Sequence, residues 1–338
     1  MSEKYPIDFV VTWVDGNDPV WQAEKAKYSP NKNADNRNVR FRDWDNMQYW
    51  FRAVEKFAPW VNKVHFVTYG HLPKWLNTNN PKLNIAKRSD FIPKEYLPTF
   101  SSQPIELNLH RIKGLAERFV YFNDDMFLLR PVKRELFFAG KDCLPTDFAI
   151  TSTISTTTKE DMMPFIKLNC VTILNGHFDK KEQMKKHFSK WVNLAYGWNA
   201  LRNLIFYGQH RFKGFANNHL AFSFLKSEYE DIWEKEYESL DDTSSHKFRS
   251  KLDLDNWLIR YWQLTRGNFY PIGRHVKGKV YEIYNGVEQN QELFKIIENQ
   301  AMPMICINDN DNVDFEPMKE RIKQAFDKIL PEKSSFEK

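Results

Sequence analysis

The stretch RFVYFNDDMFLL, residues 118–129, sets two adjacent aspartates, Asp124 and Asp125, between segments that belong in a core. Val120, Tyr121 and Phe122 precede them, and Leu128 and Leu129 follow. The run reads as one strand buried on both faces, as in a parallel sheet. Ligands of such sheets sit beyond the carboxyl ends of the strands. A carboxylate pair there is costly unless a divalent metal or a cationic cluster compensates it. A plain turn is the alternative that the local pattern leaves open.

Outward from this stretch, strands and helices alternate. IDFVVTWV (7–14) reads as a buried strand ending in the polar turn DGNDP. NMQYWFRAVEKFAPW (46–60) has helical spacing and stops near a proline. KVHFVTYG (63–70) is a second strand, residues 73–92 hold a third, and IELNLHRIKGL (105–115) reads as a helix. This order predicts an α/β fold. Residues 191–206, 222–240 and 253–267 read as helices, the Thr/Ser-rich 151–162 as a mobile loop, and 302–311 as a strand running into carboxylates. Residues 316–330 form a lysine-rich amphipathic helix with a tail to 338. We expect one catalytic domain over 1–330. Its parts are 1–150, a helical insertion or cap over 151–300, and a strand at 301–315 that returns to the sheet.

The 338 residues carry a net charge of +5 without a dense Lys/Arg block, which argues against a nucleic-acid-binding arm. Cys143, Cys170 and Cys306 are far apart and form no CxxC pair, so a zinc or disulfide framework is not expected. The N-terminus shows no signal-peptide core and no stretch spans a bilayer. The expected location is cytoplasmic, with at most peripheral membrane contact. The C-terminal helix is the candidate for that contact, and packing on the domain is its plainer role.

Several residues are candidates for chemistry. Asp15, Gly16 and Asn17 follow the first strand and suit either a nucleotide's polar groups or an Asx-type turn. Arg40 and Arg42 point the same way on an extended segment, fitted to grip a diphosphate or to pair with Asp43 or Asp45. Glu106 and His110 stand at i, i+4 with Asn108 between them, as substrate-orienting groups or an ordinary helix-surface pair. Asn123, Asp124 and Asp125 are the candidate metal motif, with Asp309 and Asp311 of CINDND as further carboxylates. His219 reads as a general base or a structural histidine. Arg249 reads as a clamp on transferred phosphate.

The segments IDFVVTWVDGNDPVW, VRFRDWDNMQYWFRAVEKFAPWVNKVHFVTYGHLPKWL, LPTFSSQPIELNLHRIKGLAERFVYFNDDMFL, TSSHKFRS and CINDN occur in that order. Together they closely resemble the Stealth family of capsular and cell-wall polysaccharide phosphotransferases, which includes the animal N-acetylglucosamine-1-phosphotransferase. The resemblance implies a Rossmann-like, GT-A-like mixed sheet with an added helical region. It implies transfer of a hexosamine- or hexose-1-phosphate from a UDP-sugar to a glycan hydroxyl, with UMP released. It places Mg²⁺ (or Mn²⁺) on Asn123, Asp124 and Asp125. It maps the catalytic histidine onto His219, where NNHLAF lacks the Pro-His of the family pattern, and the catalytic arginine onto Arg249. Donor binding falls to Asp15, Gly16 and Asn17, with Arg40 and Arg42 in the second motif. A lipid-linked oligosaccharide is the expected acceptor. A metal-dependent glycosyltransferase releasing UDP is the rival reading.

Overall fold

A computed structural model describes residues 5–29, 42–156, 158, 161–310 and 312–338. Arg40, Asp311 and residues 157, 159 and 160 of the Thr/Ser-rich segment therefore lie outside the described residues. The strands are, in chain order, β1 (Ile7–Thr12), β2 (Val64–Thr68), β3 (Leu83–Lys87), β4 (Arg118–Phe122), β5 (Met126–Leu128) and β6 (Phe138–Ala139). They continue with β7 (Leu144–Asp147), β8 (Phe222–Leu225), β9 (Tyr270–Pro271), β10 (Gly278–Glu282) and β11 (Met304–Asn308).

The central sheet has the order β3-β2-β1-β4-β8. Its first four strands pair in parallel, and β8 runs antiparallel to β4. The expected α/β class with a mixed sheet is what forms. Successive side chains of a strand face opposite ways, so Phe9 and Val11 enter one core layer and Val10 the other. The first layer takes the helices Met47–Phe57 and Phe315–Ile329, and the second takes Lys226–Lys235 and Asn256–Thr265. At the opposite end of the strands from the cleft, the buried Asp8 accepts from His65, Asn62 and the Ala116 amide at 2.9, 2.7 and 2.8 Å.

Several expectations need correction. Residues 118–129 are two strands, not one. The chain turns at Asn123–Asp125 and leaves the central sheet, because β5 pairs antiparallel with β11 in a second sheet, β10-β11-β5. The strand at 301–315 therefore joins that second sheet and does not return to the central one. The segment 222–240 starts as β8, not as helix. Its Phe222 and Phe224 alternate with Ser223 against β4, and helices follow at Lys226–Lys235 and Tyr237–Ser245. Residues 151–300 thus contribute to the central sheet as well as covering it.

The run 191–206 breaks into short pieces around Gly197, whose φ of 56° ends the first turn. The helix expected over 105–115 is Ser102–Leu107 followed by a 3-10 turn, Leu109–Arg111. Asn108 interrupts it by donating to the Pro104 carbonyl and the Ser244 hydroxyl at 2.8 and 3.1 Å. That break parts Glu106 from His110. His110 lies between the rings of Tyr229 and Trp233, at centroid distances of 5.6 and 5.9 Å.

The C-terminal helix spends its apolar face on the core, since Met318, Ile322, Phe326 and Ile329 are buried there. Phe326 stacks on Tyr49 at 5.4 Å and meets Phe127 at 4.9 Å. Phe326→Ala should cost about 3–5 kcal/mol in urea unfolding. A loss below about 1 kcal/mol would mean the helix is not packed as described. His110 adds a pH term. Burial, then the charges of Arg111 and Lys226, hold its pKa down to about 3. The folded protein keeps it neutral while the unfolded chain takes up a proton below about 6.5. Stability should therefore fall with pH from about 6.5 towards 3, by up to about 1.4 kcal/mol per unit from this group. Unfolding curves of wild type and His110→Phe between pH 7 and 5 should converge by that slope, and parallel curves would contradict the burial of a neutral imidazole.

Candidate active site

The cleft, of about 830 Å³, opens at the carboxyl ends of β1 and β4. Its floor is the joint between the two sheets. The β4 strand ends at Phe122, Met126 donates back to the Asn123 carbonyl at 3.3 Å, and the Ile307 amide donates to the Asp125 carbonyl at 2.9 Å. These bonds hold Asp124 and Asp125 in the cleft. Asp124 faces solvent, yet loss of surrounding water, then the charges of Asp125 and Asp43, push it up to about 7.

Asp125 uses one oxygen and not the other. Its Oδ2 accepts from the Cys306 thiol at 3.2 Å and faces His219 Nε2 at 3.5 Å. Its Oδ1 is buried without a hydrogen-bond partner. A buried carboxylate oxygen with no donor fits a cation that takes oxygen ligands. Ligand atoms of Asp125, His219 and Cys306 lie within 4.8 Å of one another. Burial first, then Asp125, hold Cys306 well above its ordinary pKa. It is a thiol, not a thiolate, which leaves the Asp125 carboxylate and the His219 imidazole as the donors of this group. The adjoining carboxylates Asp124 and Asp125 fit a hard, oxygen-seeking divalent cation better than a soft metal. Asp309 lines the same cleft, but its carboxylate is engaged by Arg42 and by Trp44 Nε1, each at 3.1 Å.

His219 is presented by pinned neighbours. Arg260 binds Asp147 in two-pronged fashion, 2.7 Å on each prong, and donates to Asn217 at 2.6 Å. Arg274 donates to Asn218 Oδ1 at 3.0 Å. The two asparagines before His219 thus fix its backbone while its ring stays 43% exposed. Burial lowers its pKa, and the Asp125 hydrogen bond and charge outweigh that and raise it.

Arg249 is positioned by a buried carboxylate that it does not touch. Asp253 accepts from His246 Nδ1 at 2.6 Å and from the Ser250 amide at 2.7 Å, which folds the loop between them. The Lys247 carbonyl then receives the Phe100 amide at 2.8 Å. Phe248 stacks on Phe100 at 5.4 Å, and Arg249 reaches Ser102 Oγ at 3.2 Å. Glu106 lies beside this arginine. Burial raises its pKa against the pull of Arg249, and it accepts from Tyr121 at 3.3 Å.

The structure therefore brings Arg42, Glu106, Asn123, Asp124, Asp125, His219, Arg249 and Asp309 to one cleft. Asn108 and His110 are buried away from it. Asp15, Gly16 and Asn17 stand next to its lining residue Val14 and form a turn. The Asn17 amide donates to Asp15 Oδ1 at 2.8 Å, and Asp18 caps the helix Pro19–Tyr28.

Sequence reasoning missed Arg88, the first residue after β3. It lines the cleft at 7% exposure. Its Nη1 donates to the Thr99 carbonyl at 3.1 Å and its guanidinium lies 5.7 Å from the Tyr69 ring centre. Its Nε has no partner, and no carboxylate pairs with it among the described residues. Burial lowers its pKa to about 10, which leaves it charged at neutral pH. Its place at a strand's carboxyl end is the signal that could have found it.

Residues 5–33 match Stealth protein CR1, conserved region 1, and residues 40–144 match Stealth protein CR2, conserved region 2. The chain is 42% identical over 343 residues to the capsular polysaccharide phosphotransferase WcwK of Streptococcus pneumoniae, covering 100% of both chains. It is 41% identical over 344 residues to the receptor polysaccharide phosphotransferase WefC of Streptococcus gordonii, again covering 100% of both. A solved galactosyltransferase, LgtC, in complex with donor and acceptor sugar analogs, is similar at a TM-score of 0.37 and 9% identity, covering 95% of this chain and 96% of that one. That likeness is slight, and the fold stands on the chain's own strand order. Matches in both conserved regions and full-length identity above 40% make the chain an enzyme of the transferase class that belongs to the Stealth family.

Proposed function

We propose that the enzyme transfers sugar-1-phosphate from a UDP-sugar to a hydroxyl of a growing surface polysaccharide, forming a phosphodiester and releasing UMP. The acceptor we infer is a lipid-linked oligosaccharide at the cytoplasmic face of the membrane. One observation carries the reading. A single cleft holds a carboxylate pair with an orphaned oxygen, Asp124 and Asp125, and a buried guanidinium, Arg88, that no acid pairs with among the described residues. A metal-bound diphosphate supplies the cation to the first and the anion to the second.

In this reading Asp124 and Asp125 hold a divalent cation, which when bound neutralises charge on the diphosphate and the departing UMP. Arg88 and Arg249 bind phosphate oxygens, and Arg249 stabilises the charge that spreads over the transferred phosphoryl group. The acceptor oxygen attacks the β-phosphorus, the bond from that phosphorus to the bridging oxygen breaks, and its electron pair leaves with UMP. His219 takes the acceptor proton, and the Asp125 carboxylate stabilises the imidazolium that forms. Phe100, packed against Trp21 at 6.0 Å and Phe248 at 5.4 Å, offers an aromatic wall for the base or the sugar.

Incubation with Mg²⁺, a panel of UDP-sugars and a hydroxyl-bearing glycan should release UMP. Asp124→Asn should lower that rate by about a hundredfold or more, and should remove the thermal stabilisation that Mn²⁺ gives the wild type. UDP as the product would place the enzyme among ordinary glycosyltransferases. Arg88→Met should weaken donor binding about tenfold or more without lowering the unliganded melting temperature, because it removes an uncompensated buried charge. A lower melting temperature with unchanged donor affinity would make Arg88 a structural residue.

A further inference from the structure

The helix Asn199–Ile205 is inside out. Its inward side is anchored by one polar residue beside Ala200, which packs on Phe148, Ile150, Tyr196 and Ala216. Asn203 is fully buried, accepts from the Thr151 amide at 2.8 Å, and donates to the Ala149 and Trp191 carbonyls. Its outward side is apolar. Trp198 is 87% exposed and Ile205 76%, with Leu201 and Leu204 beside them. Leu194, one turn earlier, is 97% exposed. Trp198, Leu201 and Ile205 stand at i, i+3 and i+7, which is the spacing of one helix face. Phe188, at the start of the same segment, is also exposed and packs on Tyr207 at 6.0 Å. A helix on a water-facing surface puts its apolar stripe inward, and the anchoring Asn203 enforces the reverse.

The exposed charges along this segment are mostly cationic, although the exposed Asp142 lies close enough to act on Lys190. Over residues 181–213 the exposed cations are Lys181, Lys185, Lys186, Arg202, Arg211 and Lys213, and Glu182 is the one acidic residue. A tryptophan with exposed leucine and isoleucine, fringed by lysine and arginine, matches the depth profile of an anionic bilayer. The apolar side chains enter the acyl boundary and the cations meet the lipid phosphates. The C-terminal helix cannot serve, because its apolar face is spent on the core. Among the described residues no helix is long and apolar enough to cross a membrane.

We propose that residues 188–205 form a peripheral docking surface for an anionic lipid bilayer. The proposal deepens the reading above by giving a surface to the lipid-linked acceptor, and it rests on that reading only for the acceptor's identity. Docking confines enzyme and anchored acceptor to one plane and so raises their effective concentration. The patch leads directly to the catalytic segment: Asn203 holds Thr151, Thr151 bridges to Phe215, and His219 follows four residues later.

The test is co-sedimentation of the full chain with vesicles of phosphatidylglycerol and phosphatidylcholine, and with vesicles of phosphatidylcholine alone, without any substrate. Wild type should bind the anionic vesicles at least about tenfold more tightly. The triple variant Trp198→Ser, Leu201→Ser, Ile205→Ser should lose about tenfold or more of that binding, and Lys185→Glu, Lys186→Glu should lose part of it. Replacing Lys319, Lys323 and Lys328 with Glu should change it little. Transfer to a water-soluble acceptor should be unchanged in the triple variant, so failure of the surface and failure of the chemistry read out separately. Absence of wild-type sedimentation, or full binding by the triple variant, would overturn the proposal. A dimer in solution that the triple variant dissociates would overturn it too, since the face would then belong to a second copy of the chain.

Discussion

Two carboxylates at the joint between two sheets are the constraint on which the rest of this protein depends. β4 belongs to the central sheet and β5 to a separate one, where it runs antiparallel to β11, with three residues, Asn123 to Asp125, between them. Every neighbouring element is arranged around that charge. Apolar layers on both faces of the central sheet hold β4 in place. The antiparallel pair β5 and β11 fixes the other side. The carboxylates are adjacent, and one Asp125 oxygen is buried without a donor. A fold that keeps such an arrangement stores a demand for positive charge.

The cations that answer it come from far along the chain, each set by a buried polar contact of its own. Asp253 shapes the loop that carries Arg249. The Arg260 pair with Asp147 and the Arg274 contact with Asn218 set the backbone before His219. Cutting one partner of such a contact leaves the other buried and unpaired, which is costly. The position of the reactive groups is thereby tied to the stability of the domain.

Much of this was legible in the sequence, and the rest was hidden for physical reasons. Apolar β-branched and aromatic runs ending in acids gave away β1, β4 and β11, because burial on both faces demands such runs. The NDD carboxylates were named from their chemistry, Arg249 and His219 chiefly from the family resemblance, and all of them share a cleft. The break between β4 and β5 was not legible, since FVYF and MFLL read as one apolar run and only pairing partners separate them. FSFL of β8 merged into the helical periodicity that follows. Arg88 carried no motif, and only the fold shows that nothing acidic pairs with it among the described residues. Residues 191–206 read only as helix, and the outward turn of the apolar side chains of Asn199–Ile205 was hidden, because periodicity gives the direction of a stripe relative to the helix and not relative to the core.

The central claim is that the bond broken lies between the β-phosphorus and the bridging oxygen, with the sugar keeping its own phosphate. Oxygen-18 placed between the sugar's anomeric carbon and that phosphorus tests it directly. Mass spectrometry of the glycan product should find the label retained, in a phosphodiester that joins sugar to acceptor. Label recovered in released UDP, with a plain glycosidic bond in the product, would contradict the account and show that the anomeric carbon is the site of attack.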